Sequence, residues 1–296
     1  MNRNYQVGWW LIVLTIAMMF FSSYLISGID VANKGAAFEY LLLIAGELMF
    51  LVPIGLGALY LKLTKQNEES ILAIKPVPLG LIVLSVLSIM GAQYFITYLT
   101  LPLQALLIFI FGAETATSQM VVPNGFFEFI MAFLTLCVVA PVVEEFLCRG
   151  ILIKCFEKYG AAIAVLASSF AFAILHFEAR SIIQLFFVGV LLGVFRVYGG
   201  SIIPCIVMHG VNNLMSLCQL TFFADDAQIT LGICLFLAVM FVPVIYITFF
   251  KFGHYFKTDV PVYTKDAPGL SVGFFVCLGI FILYNGALIL ERLINL

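Results

Sequence analysis

Six strongly polar side chains, Glu144, Glu145, Arg149, His176, His209 and Asn213, sit inside runs of otherwise apolar residues. Placing an ionised group at the centre of a membrane helix costs ~2.5–3.5 kcal/mol even on lenient scales, so such residues mark functional sites by default. Two of the chain's three histidines belong to this group. Glu145 and Arg149 stand four apart in CVVAPVVEEFLCRGILIK (137–154), with the acid N-terminal to the base, the favourable order for a helical ion pair. Glu144 is rotated about 100° from Glu145 and must face something else. His209 and Asn213 share one helical face, as do Phe172 and His176, while Asn212 points about 100° away from Asn213. A carboxylate without a dedicated partner, two imidazoles and an amide are the parts of a water-activating site. Glu144 would act as base, and His176 would hold the water or relay its proton. His209 and Asn213 would donate to the oxyanion of a tetrahedral intermediate. The chemistry is hydrolysis of an amide bond inside the membrane. Taken singly, a Glu–Arg pair also serves as a topology anchor, and a membrane histidine as a link between helices.

The elements that must position these residues follow from composition. Of 296 residues, 64% are hydrophobic and 10% charged, against roughly 25% charged in soluble domains. A single globular core of this size cannot hide that excess. The chain reads as an all-α, polytopic transmembrane bundle of about eight to nine spans. Candidate spans are 7–29, 40–61, 79–111, 126–148, 161–177, 181–198, 201–223, 229–250 and 268–290. The first is too long for a signal-peptide core and reads as a retained helix. The third has no charged residue and would be about 50 Å long as one helix. It is either one helix broken near Pro102 and followed by a re-entrant piece, or two helices.

Lysine and arginine placement arbitrates. With a cytoplasmic N-terminus and one crossing at 79–111, eleven basic residues lie toward the cytoplasm: Arg3, Lys62, Lys65, Lys75, Arg149, Lys154, Lys158, Arg196, Lys251, Lys257 and Lys265. Only Lys34, Arg180 and Arg292 lie outside, so nine spans and an external C-terminus are expected. Loops 62–78 and 251–267 are then cytoplasmic. Loops 112–125 and 222–228, with Glu114, Asp225 and Asp226, are external. None is long enough to fold separately, so 1–296 is one membrane domain in a prokaryotic cell membrane.

Other features carry less. Glu128 lies near a span end and reads as interfacial; Glu47, after Gly46, has no evident partner and reads as structural or substrate-facing. The seven cysteines form no CxxC pair and read as small buried hydrophobes, and the many phenylalanines and tyrosines as lipid contact. A net charge of −2 without a basic cluster gives no sign of a nucleic-acid partner.

The residues EEFLCR (144–149), FAILH (172–176) and HGVNN (209–213) resemble, in order and spacing, the EExxxR, FxxxH and HxxxN motifs of the CPBP or ABI family. That family comprises type II CAAX prenyl endopeptidases and bacteriocin-processing or self-immunity proteins. The similarity covers about residues 126–220, which is identified as the catalytic core region. It implies an intramembrane glutamate endopeptidase acting on a membrane-associated peptide or protein within the lipid bilayer. The family's base falls on Glu144 with His176, its oxyanion hole on His209 and Asn213, and its other fixed positions on Glu145, Arg149 and Phe172. No cofactor is implied. Zinc is the alternative that a Glu/His/His/Asn set leaves open, although neither HExxH nor a cysteine ligand spacing is present. Two other functions compete: a non-catalytic immunity or regulatory partner of the same family, and a transporter with a proton relay. No repeated halves speak for the transporter.

Overall fold

The computed structural model describes residues 3–29, 35–64, 71–111, 122–222, 227–251, 253–256, 258, 260, 262–264, 269 and 271–294. Lys34, Lys65, Glu114, Asp225, Asp226, Lys257 and Lys265 lie outside the described residues, as do the side chains of Lys251 and Arg292. Among the described residues there is no strand. The helices are α1 (Arg3–Ser27), α2 (Ala36–Leu48), α3 (Leu51–Leu63), α4 (Leu79–Phe111), α5 (Phe126–Tyr159), α6 (Ala161–Leu175), α7 (Ile182–Gly199), α8 (Ile203–Phe222), α9 (Ala227–Tyr246) and α10 (Val272–Ile294).

Counting α2 and α3 as one rod, the described helices correspond to the nine expected spans. Seven of the rods are long and apolar enough to cross a membrane, so the chain is an integral, multi-pass membrane protein. The two that fall short are informative. Helix α6 has only 15 residues, and α8 has 20 but is diluted by His209, Asn212, Asn213 and Gln219. These are the helices that carry the FxxxH and HxxxN residues.

Three boundaries differ from expectation. Helix α4 runs unbroken through Pro102 for 33 residues; a membrane bundle tolerates an internal proline because neighbours satisfy the freed backbone group. The run at 40–61 is instead divided after Leu48. Pro53 has no N–H to offer the Met49 carbonyl, and Val52 N takes that carbonyl at 3.2 Å while Met49 and Phe50 also bond three residues back. Helix α5 continues past Arg149 to Tyr159, so Arg149 lies within a helix and not at its loop end. Arg196, counted above among the cytoplasmic cations, is likewise a buried residue of α7.

Helix α5 is the hub. Leu147, Ile151 and Phe156 on it join Trp9, Ile12 and Ile16 of α1, Ile54 of α3, Phe172 of α6 and Cys277 of α10 in the larger apolar cluster. Trp9 anchors that cluster, with ring centroids 5.6 Å from Phe156 and 4.9 Å from Phe274. A second cluster joins Ile89 and Ile96 of α4 to Leu192 and Phe195 of α7 and Met208 of α8. The outer faces remain apolar, Phe109 and Phe126 each being 83% exposed. Lipid, not water, is the medium that such a surface fits.

Candidate active site

The winding of α5 sets the direction of its two glutamates. Residues 133–139 and 146–152 are wound with π-type turns, and an ordinary α segment from Ala140 to Glu145 lies between them. Such turns interrupt the regular ladder and recur at functional sites. The segment they bracket ends on Glu144 and Glu145.

Glu145 and Arg149 form the expected pair, Nη1 to Oε1 at 2.8 Å, with both side chains wholly buried. Each has further partners. Arg149 Nη2 donates to the Gly189 carbonyl of α7 at 3.1 Å, and its guanidinium carbon lies 4.6 Å from the centroid of Phe172. The Arg149 carbonyl accepts from Arg196 Nε at 2.9 Å. Glu145 Oε1 also meets His209 Nδ1 at 2.9 Å. A carboxylate bound to a guanidinium only accepts, so the proton of that bond lies on His209 Nδ1. The position of His209 is therefore fixed by Glu145, and its Nε2 is left for other partners.

Glu144 faces a different neighbour. Its Oε2 lies 4.0 Å from His176 Nε2, with the Glu144 and His176 side chains 16% and 31% exposed. Glu144 makes no hydrogen bond to His209 or Asn213. His176 Nδ1 bonds the Phe172 carbonyl at 2.8 Å, which again places the proton on Nδ1 and a lone pair on Nε2 of the neutral ring. Two acceptors 4.0 Å apart are too far for a direct hydrogen bond. They are well spaced for one water that donates a proton to each.

Phe172 separates the two imidazoles, its ring edge-on to His176 at 4.6 Å and to His209 at 5.5 Å. His176 caps α6, and the next residue, Phe177, takes a left-handed φ of 52°. That conformation is rare for a residue with a side chain and persists only where surroundings enforce it. Here Phe20 and Tyr284 hold the Phe177 ring at 5.4 and 5.1 Å. The chain therefore leaves the helix immediately after the histidine.

Asn213 Nδ2 donates to the Leu136 carbonyl, within the first π-type stretch of α5, at 2.8 Å. One amide proton remains uncommitted. Gly210 makes this approach possible, because a Cβ there would lie 2.6 Å from the Cys137 carbonyl oxygen. Gly189 does the same for α7, where a Cβ would meet Ser169 at 3.0 Å and Arg149 Nη2 at 3.4 Å.

Helical spacing predicts Glu144 beside both histidines, with His209 and Asn213 as neighbours facing the reaction. The structure joins Glu144 to His176, and His209 to Glu145. Sequence reasoning missed Gly189, Gly210 and the Leu136 carbonyl. Gly189 lies in GVLLG (189–193), a small-xxx-small pattern that signals close helix packing and was readable. Glu128 Oε2 accepts from Asn124 N at 2.7 Å, just ahead of α5. Glu47 on α2 lies within electrostatic reach of Glu144, and its buried Oε2 has no hydrogen-bond partner. Among the described residues, no three His, Cys, Asp or Glu side chains converge as a metal-binding group.

No curated protein and no solved structure matches the chain. Residues 126–215, the stretch that holds Glu144, His176, His209 and Asn213, match the family model of type II CAAX prenyl endopeptidase Rce1-like proteins, a family of intramembrane proteases consistent with the CPBP resemblance.

Proposed function

We propose that the protein hydrolyses a peptide bond of a membrane-associated protein or peptide, with Glu144 activating the attacking water. The observation that carries this reading is the 4.0 Å separation of Glu144 Oε2 and His176 Nε2. A water bridging them is polarised by two acceptors at once. As its oxygen attacks the scissile carbonyl carbon, Glu144 takes the proton and the carbonyl π electrons move to oxygen. Collapse of the tetrahedral intermediate breaks the C–N bond, and the proton held by Glu144 passes to the leaving amine.

The developing oxyanion needs donors. Asn213 has one uncommitted amide proton. His209 supplies another from Nε2 only in its doubly protonated form, because Glu145 already accepts the Nδ1 proton. Arg149 is a positioning residue here, fixing Glu145 beneath His209. The water-activating group in this reading is a carboxylate, with no metal in the step. The family match supports endopeptidase activity in general, and a protease embedded among apolar helices meets substrates that are themselves membrane-associated.

The test compares protein termini in membranes expressing wild type or Glu144→Gln at equal level. The expected result is a set of new termini present only with wild type, with turnover lowered ~10²-fold or more in the variant. Identical termini in both membranes would remove the catalytic role of Glu144.

A further inference from the structure

Helix α4 has no charged residue, yet Gln93, Thr97, Thr100 and Gln104 fall on one of its faces at the helical repeat. Thr97 Oγ1 accepts from Gln184 Nε2 of α7 at 2.8 Å and donates to the Gln93 carbonyl at 2.7 Å. Gln104 Nε2 donates to Thr100 Oγ1 at 2.7 Å. At the inner end, Gln93 Nε2 donates to Ser216 Oγ of α8 at 3.0 Å. Ser216 donates to the Asn212 carbonyl at 3.3 Å, and Asn212 Nδ2 reaches Asn213 Oδ1 at 3.4 Å. The row thus runs from Gln104, about two turns before the Phe111 end of α4, to the amide placed above in the reaction.

Interhelical hydrogen bonds that hold membrane helices together account for these pairs. They do not account for two atoms. Gln93 Oε1 and Asn212 Oδ1 are buried and accept no hydrogen bond, and both residues adjoin Ser216. Turning the Gln93 amide over would give its oxygen to the Ser216 hydroxyl and orphan the nitrogen instead. Among apolar helices an unmet polar atom is expensive, and ordered water with two to four partners is the usual remedy. The helices are not packed solid here. A mainly apolar cleft of about 170 Å³ between α4, α8 and α9, with Tyr94 and Met215 in its wall, lies next to this polar group without including Gln93 or Asn212.

We propose that Gln93 and Asn212 hold buried water beside Ser216, and that the polar face of α4 supplies water to the site from the Phe111 end of that helix. The inference rests on the hydrolytic reading, since each bond cleaved consumes one water in a layer that excludes it.

Single cysteines at Thr97, on the row, and at Leu99, which is 63% exposed on the apolar outer face, separate the alternatives in lipid nanodiscs. A small charged thiosulfonate reacts with thiolate, which forms only where water reaches. After subtraction of the wild-type background, Thr97→Cys should be modified ~tenfold or more faster than Leu99→Cys. Equal rates would overturn the proposal. Gln93→Met should lower kcat ~tenfold at unchanged KM, with little change in melting temperature. A fall in melting temperature with kcat intact would show the row to be only a helix link, and would also overturn it. Labelling needs no catalysis, so rapid labelling in a protein that cleaves nothing would support the water route while ending the protease reading.

Discussion

Glu144 and Glu145 are adjacent in the chain and live in different electrostatic worlds. Glu145 is wholly buried and carries Arg149 and His209 on one oxygen. Glu144 is partly open and stands 4.0 Å from His176. One peptide step divides a wholly buried, ion-paired carboxylate from a partly exposed one that faces an imidazole.

The first prediction follows from that division. Glu145→Gln leaves the Arg149 charge buried without an anionic partner, met only by neutral groups such as the Gly189 carbonyl and the Phe172 ring. Breaking such a pair costs ~3–5 kcal/mol when it is fully buried. Thermal unfolding in detergent should drop sharply for Glu145→Gln and hardly at all for Glu144→Gln. Adding Arg149→Met to Glu145→Gln should restore part of the loss, because the unpaired charge is gone. The reverse order of stabilities would exchange the two roles.

A second prediction concerns Gly210. A methyl there meets the Cys137 carbonyl at 2.6 Å, so Gly210→Ala must push α8 away from α5. Overpacking of this kind costs ~1–3 kcal/mol, and the shift also loosens the His209–Glu145 contact. Activity and melting temperature should fall together. Gly232→Ala on α9, which meets nothing within 4 Å, is the control and should be neutral in both measurements.

Metal dependence is a third. With Glu144 as the water-activating group, dialysis against a strong chelator should leave turnover unchanged, and added zinc should not raise it. Loss on chelation with recovery on zinc, read in the same cleavage assay, would replace the carboxylate mechanism.

Orientation is the fourth. Cysteines placed in 62–78 and 251–267 should react with an impermeant thiol reagent only after the inner face of the membrane is opened. Those in 222–228 should react in intact cells. A cytoplasmic 222–228 would overturn the orientation and the single crossing at 79–111 drawn from the basic residues.

Much of this site was legible because intramembrane polarity is rare. Glu144, Glu145, Arg149, His176, His209 and Asn213 stand out against apolar surroundings, and the i,i+4 rule paired Glu145 with Arg149 correctly. What spacing could not supply was the relation between helices. His209 meets Glu145 and not Glu144 because Gly210 lets α8 close on α5, as Gly189 lets α7 close on α6, and close approach depends on small residues whose partners lie in other segments. The length of α5 was misjudged because Arg149 looked like a loop cation; burial over Phe172 and a carbonyl partner make it a core residue. The break in the 40–61 run was marked by Pro53, but an apolar run containing proline is also compatible with an unbroken helix, as Pro102 demonstrates in α4.

The π-type turns of α5 bear on how such a site is inherited. A π-type turn accommodates one residue more than an α turn, so losing a single residue from 133–139 would return that stretch to α winding while leaving the helix on either side in register. The Leu136 carbonyl, inside that stretch, would then take a regular i→i+4 partner and be withdrawn from Asn213, although every motif residue would still be present. Chain length within α5, and not only residue identity, therefore belongs to the specification of the site. A homologue with an intact EExxxR, FxxxH and HxxxN set but one residue fewer in this stretch should be inactive, and an insertion at the same place should restore it.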